Sequence, residues 1–132
     1  MNRAMYIRGS SQIGSVVEFS SDSNNYKFDT KINFSDAIIF TKKNVVMVVH
    51  SKLSSDSTYV GALFDFDGNK LFDIPYPNLG NHYSHLVSKY SWSSAIDGGV
   101  KMVFMTDSVS YGDFWIDFLV DDRTYGASGT SR

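Results

Sequence analysis

The sequence predicts an all-β fold, an antiparallel meander that is either open or curled into a partial barrel, and three observations carry that expectation. Of the 132 residues, 46 are Val, Ile, Thr, Phe, Tyr or Trp, whereas the strong helix formers are scarce at 5 Ala, 6 Leu, 1 Glu and 1 Gln. Branched and aromatic side chains pack well on a pleated surface and lose rotamer freedom in a helix. Of the 14 acidic residues, 13 are Asp, the acid that suits turns because its short side chain bonds nearby backbone groups. Finally, short apolar runs are separated by Gly, Asn and Asp clusters too brief for the crossover of a dozen or more residues that parallel neighbours require.

Taken in order, Tyr6 to Arg8 and Ile13 to Phe19 read as opening strands around Gly9-Ser10-Ser11. Ser20 to Asn25 reads as a loop or wide turn before a strand at Tyr26 to Phe28. Ala37 to Phe40 ends in a four-residue turn, Thr41 to Asn44, and Val45 to Val49 follows. Both parities of that second run are apolar, as in a central strand covered on both faces. Tyr59 to Phe66 and Leu71 to Ile74 flank Asp67-Gly68-Asn69, which supplies the positive φ values of a tight hairpin. Pro75-Tyr76-Pro77 closes that strand, since proline donates nothing to a ladder.

Leu79, Tyr83, Leu86, Val87 and Tyr90 fall at helical spacing, so one short helix near 79–86 is compatible, but the β-type residues favour a strand from Leu86 to Trp92. The glycine turn Ala95 to Gly99 leads into Val100 to Thr106, and Asp107 to Gly112 leads into Asp113 to Val120. The length suits one β domain over 1–132, with the polar, glycine- and serine-rich 124–132 expected as a flexible tail.

Several classes of activity find no support. The longest apolar run is five residues, so no membrane-spanning helix is expected, and with no cysteine and no signal-like start the cytoplasm is the default location. A net charge of −2 with scattered Lys and Arg gives no stripe for phosphates, hence no direct nucleic-acid partner. Asp65, Asp67 and Asn69 imitate a calcium loop, but the glycine is at the wrong position and no distal Glu follows. His82 and His85 are three apart, which on a strand sends them to opposite faces. No nucleophile elbow, phosphate loop or dinucleotide fingerprint is present, so no enzyme, metal or cofactor is expected, and nothing specifies an oligomeric state.

The most informative segment is Asp113 to Asp121. Phe114, Ile116, Phe118 and Val120 share one parity, and Asp113, Trp115, Asp117 and Asp121 share the other. Alternation makes the first set core and turns the second outward, where a tryptophan between carboxylates could anchor a basic partner. Asp122 and Tyr76 complete the candidate set. Two segments, Phe64-Asp65-Phe66-Asp67-Gly68-Asn69-Lys70-Leu71-Phe72 and Asp113-Phe114-Trp115-Ile116-Asp117-Phe118, give the chain a look that resembles the small cytoplasmic immunity proteins of bacterial toxin systems, contact-dependent growth inhibition among them. The resemblance implies stoichiometric binding that neutralises a cognate toxin, often a nuclease. The alternative is a carbohydrate- or small-molecule-binding β domain, in which Trp92, Trp115 and the eight tyrosines stack on sugar faces.

Overall fold

The computed structural model describes residues 4–8, 14–50, 59–77, 87–106 and 114–130, with only the backbone described at 4–8, 87–92, 105–106 and 130. The described chain is all-β and contains no helix. Among the described residues eleven strands form three antiparallel sheets: a five-stranded sheet in the order β1-β4-β5-β6-β7, a two-stranded β2-β3 ribbon, and a four-stranded sheet in the order β11-β10-β9-β8. None closes into a barrel. The chain divides into two compact units, one of residues 1–52 and 58–75 and the other of 53–57 and 76–132.

In the first unit β1 (Ala4–Arg8) pairs with β4 (Phe34–Phe40), although β2 (Val16–Ser21) and β3 (Asn24–Asp29) lie between them in sequence. That long-range pairing departs from a strictly consecutive meander. β5 (Val45–His50) is central, flanked by β4 and β6 (Tyr59–Asp65), and Val46 to Val49 are all fully buried. Consecutive residues of a strand point to opposite faces, so β5 is covered on both, as its sequence predicts. One cover is the β2-β3 ribbon: Val17 and Phe19, with Tyr26 and Phe28, pack on Ala37, Ile39, Val46, Val48, Ala62 and Phe64 of the sheet. Aromatic contacts reinforce it, with Phe19 and Phe66 edge to face at 4.8 Å and Tyr26 and Phe66 at 4.9 Å between ring centres.

The ribbon is a hairpin that turns tightly at Asp22-Ser23, both at positive φ (51° and 67°), so of the loop or wide hairpin turn expected at Ser20 to Asn25 the hairpin forms and its width is corrected. Without glycine the turn is hard to read from sequence, but Asp tolerates the left-handed region and Ser20 Oγ donates to Asn25 Oδ1 across it at 2.6 Å. The hairpin from β6 to β7 (Lys70–Pro75) forms where expected. Asp65 Oδ1 accepts from the Asp67 and Asn69 amides at 2.9 Å each, and Gly68 takes φ 93° with Phe28 so close that a Cβ there would stand 2.8 Å from it.

In the second unit β8 (Val87–Ile96) turns at Asp97-Gly98 into β9 (Gly99–Thr106), and β10 (Phe114–Leu119) pairs with β9 and with β11 (Thr124–Thr130). β8 therefore runs four residues beyond the expected Trp92, and Ala95-Ile96 belong to strand rather than turn. Met102, Val100, Phe104, Phe114, Ile116 and Phe118 share one face, each no more than 4% exposed. The segment 124–132, expected as a flexible tail, is corrected over Thr124–Thr130. Its composition is poor in strand formers, but Tyr125 pairs opposite Phe118 and packs edge to face on it at 5.4 Å, which ties the strand down. The helix considered near 79–86 lies outside the described residues.

Two glycines meet carbonyl oxygens so closely that a methyl group has no place. A Cβ on Gly61 would overlap the Val48 carbonyl, and one on Gly99 the Phe118 carbonyl. Because the obstacle is backbone in a ladder, Gly61→Ala and Gly99→Ala should each lose about 2–3 kcal/mol, measured by urea denaturation. Gly98→Ala has open space but a φ of 86°, so its loss should be smaller, about 1 kcal/mol.

Candidate functional site

The candidate site begins with the strict alternation of β10. Phe114, Ile116, Phe118 and Val120 are buried, as the sequence predicts, while Trp115, Asp117 and Leu119 are half-buried on the other face. Pairing in the ladder then decides what stands beside them. Trp115 is opposite Val103 of β9 and Gly129 of β11, and Asp117 is opposite Lys101 of β9.

The Trp115 ring is held by both neighbouring strands. Its Nε1, Cε2 and Cζ2 lie 3.1–3.2 Å from the position a Cβ on Gly129 would occupy, so the absent side chain is what gives the indole room. From β9 the Lys101 ammonium stands 4.6 Å from the ring centre, within cation–π range. Lys101 is the diagonal neighbour of Trp115 and the direct neighbour of Asp117 on the same face. Its ammonium is over the ring. Asp117 Oδ1 is buried and no described residue donates to it. A cation–π contact at such a site is worth about 0.5–1 kcal/mol, whereas an unsatisfied buried acceptor costs about 1–3 kcal/mol.

Asp121 and Asp122 are exposed in the turn after β10, where Arg123 has a φ of 57°. This turn sits beside the β8-β9 turn, since the Val120 amide donates to the Gly98 carbonyl at 3.0 Å, so exposed Asp97 joins them at one end of the sheet. Asp113 lies outside the described residues, as do His82 and His85. Tyr76 does not join the site. It is half-buried against Phe104, 6.5 Å between ring centres, and Phe104 belongs to the face opposite Trp115. Burial raises the hydroxyl pKa of Tyr76, and burial together with Tyr76 raises that of Tyr125 further.

Lys101 is the side chain of this candidate face that the sequence did not bring forward. The signal was present, because inward Val100, Met102 and Phe104 force Lys101 outward, but its position opposite Asp117 depends on a register that the chain alone does not display. The face is consequently mixed in charge instead of purely acidic. Elsewhere, the Asp65 and Asp67 loop is a closed hairpin whose Asp65 oxygens are all engaged by its own backbone and by Asn69 Nδ2 at 3.0 Å. The chain matches no protein family model, no curated protein and no solved structure.

Two carboxyl groups are held below their ordinary pKa by donors: Asp65 first by the Asn69 amide, and Asp29 first by the Ser15 hydroxyl and then by the Lys31 amide. A carboxyl depressed on folding contributes stability that is present above its unfolded value and lost as pH falls through the folded one. Stability should therefore decline as pH drops below about 3.8. Asp65→Asn, followed by urea midpoint against pH, should give a shallower acid decline, and an unaltered one would remove Asp65 from the account.

Proposed function

We propose that the chain is a non-catalytic protein-binding module that neutralises a basic cognate toxin, a nuclease domain in the cytoplasm, by stoichiometric capture on the outer face of β9 and β10. The observation that carries this reading is Trp115, set on a sheet surface between Lys101 and Gly129 and beside Asp117, to whose Oδ1 no described residue donates. A half-buried aromatic of this kind gives a large contact area at little entropic cost, and the exposed Asp97, Asp121 and Asp122 at the sheet's end favour a basic surface over an acidic one. A cleft built for phosphate has that character. The sugar-binding alternative is supported less well, because the Lys101 ammonium already occupies a face of the indole on which a sugar ring would stack.

Co-expression with the product of the adjoining gene, followed by pulldown and titration, tests the reading. Trp115→Ala should weaken capture by about 2 kcal/mol or more, and Asp121→Asn with Asp122→Asn should chiefly slow association and flatten its salt dependence. A toxin that stays lethal beside abundant folded protein would overturn it.

A further inference from the structure

We infer that the Trp115 ring face is a receptor for one guanidinium group of a partner protein, an arginine, and that Lys101 occupies that receptor in the free chain. The inference rests on the binding face proposed above and names the chemistry it takes. Three observations meet there. A cation already stands 4.6 Å from the ring centre, so this face of the indole is turned toward a charged group instead of being closed off by core side chains. The residue that supplies the cation has a second place to go. Asp117 lies directly opposite Lys101 in the ladder, and its buried Oδ1 receives no hydrogen bond from any described residue. Finally, the chain carries a net charge of −2, and Asp97, Asp121 and Asp122 are exposed at the adjoining end of the same sheet.

Exchange follows from these positions. As an arginine side chain approaches, its planar guanidinium stacks on the indole more fully than an ammonium does, and it is the more weakly hydrated of the two cations. Lys101 moves one position along the face to Asp117, where its ammonium satisfies Oδ1. The displaced cation thereby becomes one half of an ion pair, so the incoming charge meets a neutral pair instead of a bare like charge. Asp117 acts as a positioning residue in this scheme, since it gives Lys101 its alternative place, while Trp115 makes the contact.

Nuclear magnetic resonance on the intact chain tests this with a short probe, acetyl-Gly-Arg-Gly amide, and its citrulline counterpart. In the free protein the Lys101 ε-methylene protons should be shifted upfield by the ring current of Trp115. The arginine peptide should return them saturably toward their ordinary position, and the uncharged citrulline peptide should not. Lys101→Met, which removes the competing charge and keeps the chain length, should tighten the arginine peptide by about threefold or more. Asp117→Asn should weaken it by a similar factor and hold the Lys101 protons further upfield in the free state, with backbone amide spectra confirming that both variants fold. An arginine peptide that leaves the Lys101 protons unmoved, or a Lys101→Met variant that binds it no better, would overturn the inference. Such a failure is separable from failure of the functional reading: toxin capture that still depends on Trp115 would leave that reading standing, whereas arginine binding without any toxin capture would leave only the inference.

Discussion

Consecutive residues of β5 point to opposite sides of the sheet, and Val46, Met47, Val48 and Val49 are all fully buried. A strand of this kind has no face that water can take, so the five-stranded sheet has to be covered on both sides. This constraint explains the path of the chain around it. After β1 the chain leaves the sheet, lays the β2-β3 ribbon on the face carrying Ala37, Ile39, Val46 and Val48, and returns as β4 beside β1. The ribbon brings Val17 and Phe19 to that face, and full burial of one such side chain is worth about 1.5–3 kcal/mol. A two-stranded ribbon is marginal by itself, so ribbon and sheet each depend on the contact. The second unit shows the contrasting case. β10 alternates strictly between buried and half-buried residues, which leaves one face available for work other than core packing.

The difference between these two kinds of strand was legible in the sequence, and so was the core set of β10. Patterns of period two need only the residues themselves, and the Asp65-to-Asn69 hairpin carries its own turn chemistry in Asp, Gly and Asn. What escaped was information that belongs to pairs of segments. Nothing in Tyr6-to-Arg8 names β4 as its neighbour, because pairing across the inserted ribbon is decided by which faces need cover. The Asp22-Ser23 turn was obscured for another reason: Asp tolerates positive φ but Ser seldom adopts it, and no glycine or asparagine stands at either position to announce the turn. Tyr76 looked like a surface aromatic between two prolines, but its neighbour Phe104 becomes apparent only once β9 is placed.

The same distinction governs the candidate site. Trp115 and Asp117 were named from alternation along one strand, and their places on the outward face follow from it. Lys101 changes what that face can do, because it contributes the opposite charge directly beside Asp117 and a cation over the indole. A purely acidic strand would attract a basic surface without selecting among its groups. A ring, a carboxylate and an ammonium within one cross-strand neighbourhood are more specific: the ammonium stands over the ring, and no described residue donates to the neighbouring Asp117 Oδ1.

The least strand-like part of the chain supplies the floor of this arrangement. β11 reads Thr-Tyr-Gly-Ala-Ser-Gly-Thr, a composition that favours disorder when judged residue by residue. In the ladder its glycines fall beneath the outward side chains of β10, Gly129 against Trp115 and Gly126 against Leu119, whose Cδ1 is 3.5 Å from where a Cβ would stand. An ordinary side chain at residue 129 would require the indole to shift away from its present position. Glycine weakens a strand by exposing backbone and offering nothing to pack, and here a large cross-strand side chain covers the gap and offsets that cost. The glycines that made this segment resemble a loose tail are thus the residues that allow a tryptophan to settle on the sheet, and the tryptophan in turn helps to keep the glycine-bearing strand in place.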